Sequence, residues 1–184
     1  KEAERLGNFK LIGTLRRVKS QNPMHAQKHP RSGYAEMLRN IRMRIEFIVQ
    51  RKNKITITIT STESGDGKTF ISTNLATLYA MGGRPTLLLD MDIRKPNVHE
   101  KLGLEAQKGV TNYLIGDCDL EDIILHNEAF AFDVIPAGTI PPNPGELVRS
   151  DKLAELMQIL RQRYEYIIVD SSPVGMVPDA LSLI

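Results

Sequence analysis

One stretch constrains this chain more than any other. Ile55-Thr-Ile-Thr-Ile-Thr60 alternates β-branched residues and predicts a strand. Residues 68 to 81 form an apolar, helix-length run closed by Gly82-Gly83 and predict a helix. Between them stands Thr62-Glu-Ser-Gly65-Asp-Gly67-Lys68-Thr69. Glycines in such a turn let successive backbone N–H groups converge on one point, and the helix N-terminus behind adds partial positive charge. A lysine and a hydroxyl then sit where they reach the β- and γ-phosphates and a Mg²⁺ ion. The candidate nucleotide contacts are Ser64, Gly65, Asp66, Gly67, Lys68, Thr69 and Phe70. The usual pattern opens on glycine, where this chain has Thr62.

Two further segments carry carboxylates at the end of an apolar run. Thr86–Asp90 reads as a buried strand running into Asp92, and Tyr166–Asp170 as another. In an open α/β sheet, ligands bind beyond the carboxyl ends of the strands. Carboxylates there can hold Mg²⁺ or accept a proton from a hydroxyl. An apolar strand ending in an aspartate such as Asp170 is also the arrangement that supports a nucleotide's metal or its water.

The remaining pattern alternates strands and helices. Residues 34–51 read as a helix with Tyr34, Leu38, Ile41, Ile45 and Ile48 on one face and Glu36, Arg39 and Arg42 on a charged strip. Short helices are expected at 97–102, 110–115 and 120–125, a strand at 132–135, a loop at 136–145 and a helix at 146–163. This is an α/β chain: a P-loop NTPase-type, mostly parallel sheet with helices on both faces. Residues 1–32 read as an irregular basic linker with a short strand at 10–14. His25 and His29 lie four apart, but Pro23 and Pro30 disfavour a helix there, and no histidine has metal-ligand spacing. The one cysteine, Cys118, forms no internal disulfide, which fits a reducing compartment. No apolar stretch reaches the roughly 18–20 residues of a membrane helix. The net charge of +2 conceals an uneven distribution: residues 1–54 carry 14 Lys/Arg against 4 Asp/Glu, whereas residues 55–184 carry 10 against 18. The basic arm suits an anionic partner, either a membrane surface, nucleic acid or the acidic body of another copy.

Together the three motifs resemble those of the bacterial tyrosine kinases associated with capsular and exopolysaccharide export. Arg94-Lys-Pro96, Gly109-Val-Thr-Asn-Tyr-Leu-Ile-Gly116, Ile135-Pro-Ala-Gly-Thr-Ile-Pro-Pro-Asn-Pro144 and the Glu36/Arg39/Arg42 spacing resemble the same family, over roughly residues 9–184. The resemblance implies a protein-tyrosine kinase domain at 33–184 behind a basic, juxtamembrane-like linker at 1–32. It implies ATP and Mg²⁺ as cofactors, with Lys68 on the phosphates, Thr69, Asp92 and Asp170 on the metal, and Asp90 as candidate base. It also implies a ring-like homo-oligomer through Glu36, Arg39 and Arg42, tyrosine-containing protein substrates, no nucleic acid, and a place at the cytoplasmic face of the bacterial inner membrane. The membrane contact would come through an upstream segment or an adaptor. The expected C-terminal tyrosine cluster and last strands are not in the sequence, which begins at Lys1 and stops at Ile184. Ser64, Asp66 and Ser171-Ser172-Pro173 depart from the family's usual Pro, Glu and Thr-Pro-Pro. Two other readings stay open: a nucleotide-gated scaffold without kinase activity, and a partitioning-type P-loop ATPase. The latter family carries a second lysine in its loop, where this chain has Glu63.

Overall fold

The computed structural model describes residues 10–19, 22–50 and 54–173. Strands β1 (Ile55–Ile59), β2 (Thr86–Met91), β3 (Asp133–Ile135) and β4 (Tyr166–Ser171) form one sheet in the order β1-β4-β2-β3, and all three pairings are parallel. The helices are α1 (His25–Lys28), α2 (Gly33–Ile48), α3 (Lys68–Ala80), α4 (Val98–Leu102), α5 (Val110–Ile115), α6 (Pro144–Val148) and α7 (Asp151–Arg163). Register places Ile59 beside Asp170 and Asp170 beside Asp90. The loops that follow β1, β4 and β2 therefore leave the sheet from neighbouring positions on one edge.

Strands β2 and β4 are buried along their whole length, which explains their unbroken apolar runs. Leu87, Leu89, Ile167 and Val169 pack on one side against Val110, Leu153, Leu156 and Leu160. Leu88 and Ile168 pack on the other against Ala26, Leu38, Leu75 and Leu78. The period of two along each strand thus serves two separate cores. Full burial of each such side chain stabilises the fold by roughly 1.5–3 kcal/mol.

The structure departs from the sequence reading in several places. Residues 10–14 form no strand. The segment taken as linker up to residue 32 joins the core well before its end, because Met24, His25 and Ala26 are buried. It holds a one-turn helix, α1, exactly where the two prolines argued against one. The reason is Asn74, fully buried in α3, whose side chain accepts the Ala26 N–H at 2.7 Å and donates to the Pro23 carbonyl at 2.8 Å. Residues 120–125 make a single 3-10 turn, Leu120–Asp122, after which Leu125 pairs antiparallel with Val134. The helix expected over 146–163 is two helices. Ser150 ends the first by donating to the Leu147 carbonyl and caps the second by accepting the Leu153 N–H.

The two motif stretches around residues 109 and 138 cross at backbone contact. A Cβ on Gly109 would lie 2.3 Å from both the Pro136 oxygen and the Gly138 nitrogen. Gly138 has φ +84, and a Cβ there would lie 2.4 Å from Asn112 Oδ1. Among the described residues, no helix is long and apolar enough to cross a membrane.

Candidate functional site

The glycine-bearing loop leaves β1 at the sheet edge and enters α3. Gly65 and Gly67 both have φ +93, a conformation that side chains strain to adopt. Asp66 braces the loop from within: its carboxylate accepts the Glu63 N–H at 3.0 Å and the Thr62 hydroxyl at 3.2 Å. The residue before α3 is Gly67, so no side chain caps the helix, and its first N–H groups remain available to an anion. Ser64 is exposed on the loop. The Phe70 ring packs 5.3 Å from the Tyr34 ring, and both residues line the cavity beside the loop.

Lys68 and Thr69 are buried at the head of α3. The Thr69 hydroxyl lies 2.6 Å from Asp170 Oδ2 and 3.0 Å from Asn97 Oδ1. Ser72, one turn further along the helix, lies 3.0 Å from Asp170 Oδ1. Burial raises the Asp170 carboxyl above its ordinary range, and the Thr69 and Ser72 hydroxyls and Lys68 oppose that rise.

Asp90 lies beside Asp170 and is fully buried. Its Oδ1 accepts the Asp92 N–H at 3.0 Å and its Oδ2 the Val98 N–H at 3.2 Å. Burial first, and then the Asp170 charge, push its pKa up to about 8. Both oxygens thus tie down the loop after β2. Asp92 accepts the Ser172 hydroxyl at 2.8 Å and the Lys95 N–H at 3.2 Å, both on Oδ1.

The structure brings Lys68, Thr69, Asp90, Asp92 and Asp170 together at one edge. The sequence reading did not single out Ser72, Asn97 or Ser172, which lie beside them. Helical spacing from Lys68 points to Ser72, but Asn97 and Ser172 stand in loops, where no period marks them. Among the described residues, no three His, Cys, Asp or Glu side chains form a ready metal cage. The donors present are hydroxyl and carboxylate oxygens, which suit Mg²⁺ held by one or two carboxylates together with phosphates and water. A cavity of about 500 Å³ adjoins the loop at Gly65 and Gly67, and Leu15, Arg16, Arg17 and Val18 of the basic arm form part of its lining.

The charged strip of α2 is only partly turned outward. Glu36 is exposed, but Arg39 bonds it at 2.5 Å and donates to the Pro30 carbonyl at 2.6 Å. Arg42 donates to the Leu78 carbonyl at 2.9 Å and lies over the Tyr79 ring. The expected apolar stripe holds through Tyr34 and Leu38, which are buried, and Ile45, which packs partly buried on the core, and ends at Ile48, which is 45% exposed. Of the five tyrosines, Tyr34, Tyr79, Tyr164 and Tyr166 are buried and only Tyr113 is half-exposed.

Residues 54–181 match the family model described as an AAA domain. The chain is 35% identical over 159 residues to CapB of Staphylococcus aureus, itself a candidate tyrosine-protein kinase, covering 86% of this chain and 70% of CapB. The chain belongs to the bacterial tyrosine-kinase family. Among solved structures, the chimerical protein CapA2B2 superposes with a TM-score of 0.87 at 34% identity, covering 97% of this chain and 77% of that one. The kinase domain of the Escherichia coli tyrosine kinase ETK superposes at 0.86 with 28% identity, covering 94% and 72%. The chain spans only 24% of the full E. coli enzyme. The fold is shared more widely: MinD of Pyrococcus horikoshii, complexed with Mg-ADP, superposes at 0.58 with 29% identity, covering 70% of this chain and 53% of that one.

Proposed function

We propose that this domain binds Mg-ATP and transfers the γ-phosphoryl group to the hydroxyl of a protein tyrosine, in the control of capsular or exopolysaccharide synthesis and export. The observation that carries this reading is the Thr69–Asp170 hydrogen bond at the head of an uncapped helix, with Asp90 and Asp92 on the adjacent strand end. In the reaction the tyrosine oxygen forms a bond to the γ-phosphorus, the bond to the β,γ-bridging oxygen breaks, and ADP leaves. Lys68 and the amides of residues 64–70 hold the phosphates in line, and the cavity beside Gly65 and Gly67 offers room for the nucleoside. Thr69, Asp92 and Asp170 are the groups able to hold Mg²⁺ directly or through water, and the bound ion would offset charge developing on the phosphates. Asp90 takes the phenolic proton once the 92–97 loop gives access. Positioning and electrostatics, rather than covalent chemistry by the protein, supply the acceleration.

The same reading makes the folded body, which takes in Met24, His25 and Ala26, the catalytic unit, with the basic arm before it next to a membrane at the cytoplasmic face. Glu36, Arg39 and Arg42 then contact a neighbouring copy in a ring. Four of the five tyrosines are buried, which disfavours them as acceptors and leaves Tyr113 or a tyrosine of another protein. The test is to incubate the full-length protein with Mg-ATP and read tyrosine phosphorylation by mass spectrometry. Phosphotyrosine in the wild type, absent from Asp90→Asn, is the expected result. ATP binding and assembly with no phosphotyrosine in the wild type would overturn the kinase assignment in favour of a nucleotide-gated scaffold.

A further inference from the structure

The three aspartates at the sheet edge present six carboxylate oxygens. Among the described residues, five of them accept a hydrogen bond: both of Asp90, both of Asp170, and Oδ1 of Asp92. Oδ2 of Asp92 has no such partner. Its sister Oδ1 takes two donors at once, the Ser172 hydroxyl at 2.8 Å and the Lys95 N–H at 3.2 Å. Two donors on one oxygen restrain rotation of the carboxylate about its last bond and leave the second oxygen's lone pairs open.

Ser172 comes from the loop just beyond β4, the strand that carries Asp170, and reaches across to the loop beyond β2. One hydroxyl therefore sets two carboxylates relative to each other. Its neighbour shows that this is not the default behaviour of a serine here: Ser171 sends its hydroxyl to the Ile59 backbone carbonyl at 3.1 Å. We infer that Ser172 is a positioning residue for the divalent cation: it holds Asp92 Oδ1 so that Oδ2 is presented to Mg²⁺ or to a water bound to it. The inference rests on the Mg-nucleotide reading of the site.

The test is nucleotide binding across a Mg²⁺ titration, with full-length protein and a fluorescent ADP analogue, and no turnover is required. In the wild type, affinity should rise with Mg²⁺. In Ser172→Ala, half-saturation should need about tenfold more Mg²⁺, the scale expected when a ligand loses an outer partner. Affinity in EDTA and the nucleotide-free melting temperature should stay near wild type. Ser172→Thr, which keeps the hydroxyl, should restore the Mg²⁺ requirement. Ser172→Pro supplies a second hydroxyl-free variant should the alanine protein fold poorly. An unchanged Mg²⁺ requirement in the hydroxyl-free variants removes the inference while leaving the site reading intact. So does an equal loss of affinity with and without Mg²⁺, which marks a purely structural bond. A wild type whose nucleotide affinity ignores Mg²⁺ removes the site reading, and the inference with it.

Discussion

The carboxylate edge and the α1–α2 face of the same domain are satisfied to different degrees. At the edge, hydroxyls and backbone N–H groups answer five of six aspartate oxygens. Across α1, α2 and the outer side of α3, some buried polar atoms have no hydrogen-bond partner among the described residues: both ring nitrogens of His25 and the hydroxyls of Tyr34 and Tyr79. A buried, unpaired polar group costs on the order of 1–3 kcal/mol. The edge satisfies nearly all of its carboxylate oxygens within the fold, whereas the α1–α2 face holds several polar groups without a hydrogen bond. That face relies on aromatic packing, with His25, Tyr34 and Phe70 in contact, and on the Asn74 clasp.

The comparison can be broken, or sharpened, by substitution. The largest effect should come from Lys68→Met at the edge. Phosphotransfer should fall by roughly 10²–10³-fold or more, the scale of losing a preorganised electrostatic contact, while the thermal midpoint holds. A fall in phosphotransfer no larger than the fall in folded protein would deny the edge its special status. On the face served by α7, Leu156→Ala should cost roughly 2–5 kcal/mol by denaturant titration, because Leu156 is fully buried among aliphatic neighbours. Asn74→Ala should cost about 1–3 kcal/mol and leave the Ala26 N–H and Pro23 carbonyl unpaired. Hydrogen exchange should then show faster exchange at residues 24–28, with the α7 side unaffected. Uniform protection loss would argue that the two faces unfold together. Ser150→Ala should cost about 1 kcal/mol through the lost cap of α7.

The smallest effect is on pH dependence. Burial, and then His29, lower the pKa of His25, so the fold favours the neutral ring. That stability is fully present above the ordinary value of 6.5 and is lost as pH falls through the lowered folded value. His25→Phe should therefore flatten the decline in thermal midpoint between pH 6.5 and 5. An unchanged slope would show that His25 does not sense pH in the folded protein.

Much of this architecture was legible in the sequence because it obeys a short period. The strands β1, β2 and β4, the helix after the glycine loop, and the carboxylates at the strand ends all follow from local pattern. What was not legible depends on partners far away in sequence. The single turn α1 is held by Asn74, some fifty residues on, whose side chain accepts the Ala26 N–H and donates to the Pro23 carbonyl. The strand order β1-β4-β2-β3 is set by where the crossovers land, so nothing near residue 166 announces that it pairs with both residue 55 and residue 86. The break at Ser150 was hidden because a serine inside an amphipathic run reads as a polar position until its hydroxyl is seen to cap. At the site, Asn97 and Ser172 look like ordinary loop residues until the fold places them beside Thr69 and Asp92.

The crossing of Gly109 and Gly138 carries a consequence for how such a chain can diverge. Neither position can be the first to change: a methyl group on Gly109 meets the backbone of Pro136–Gly138, and one on Gly138 meets Asn112 while forcing a left-handed conformation. The two glycines are therefore inherited as a unit. A library randomised at both codons and selected for folded protein should return glycine at each, with few survivors carrying a substitution at either one alone.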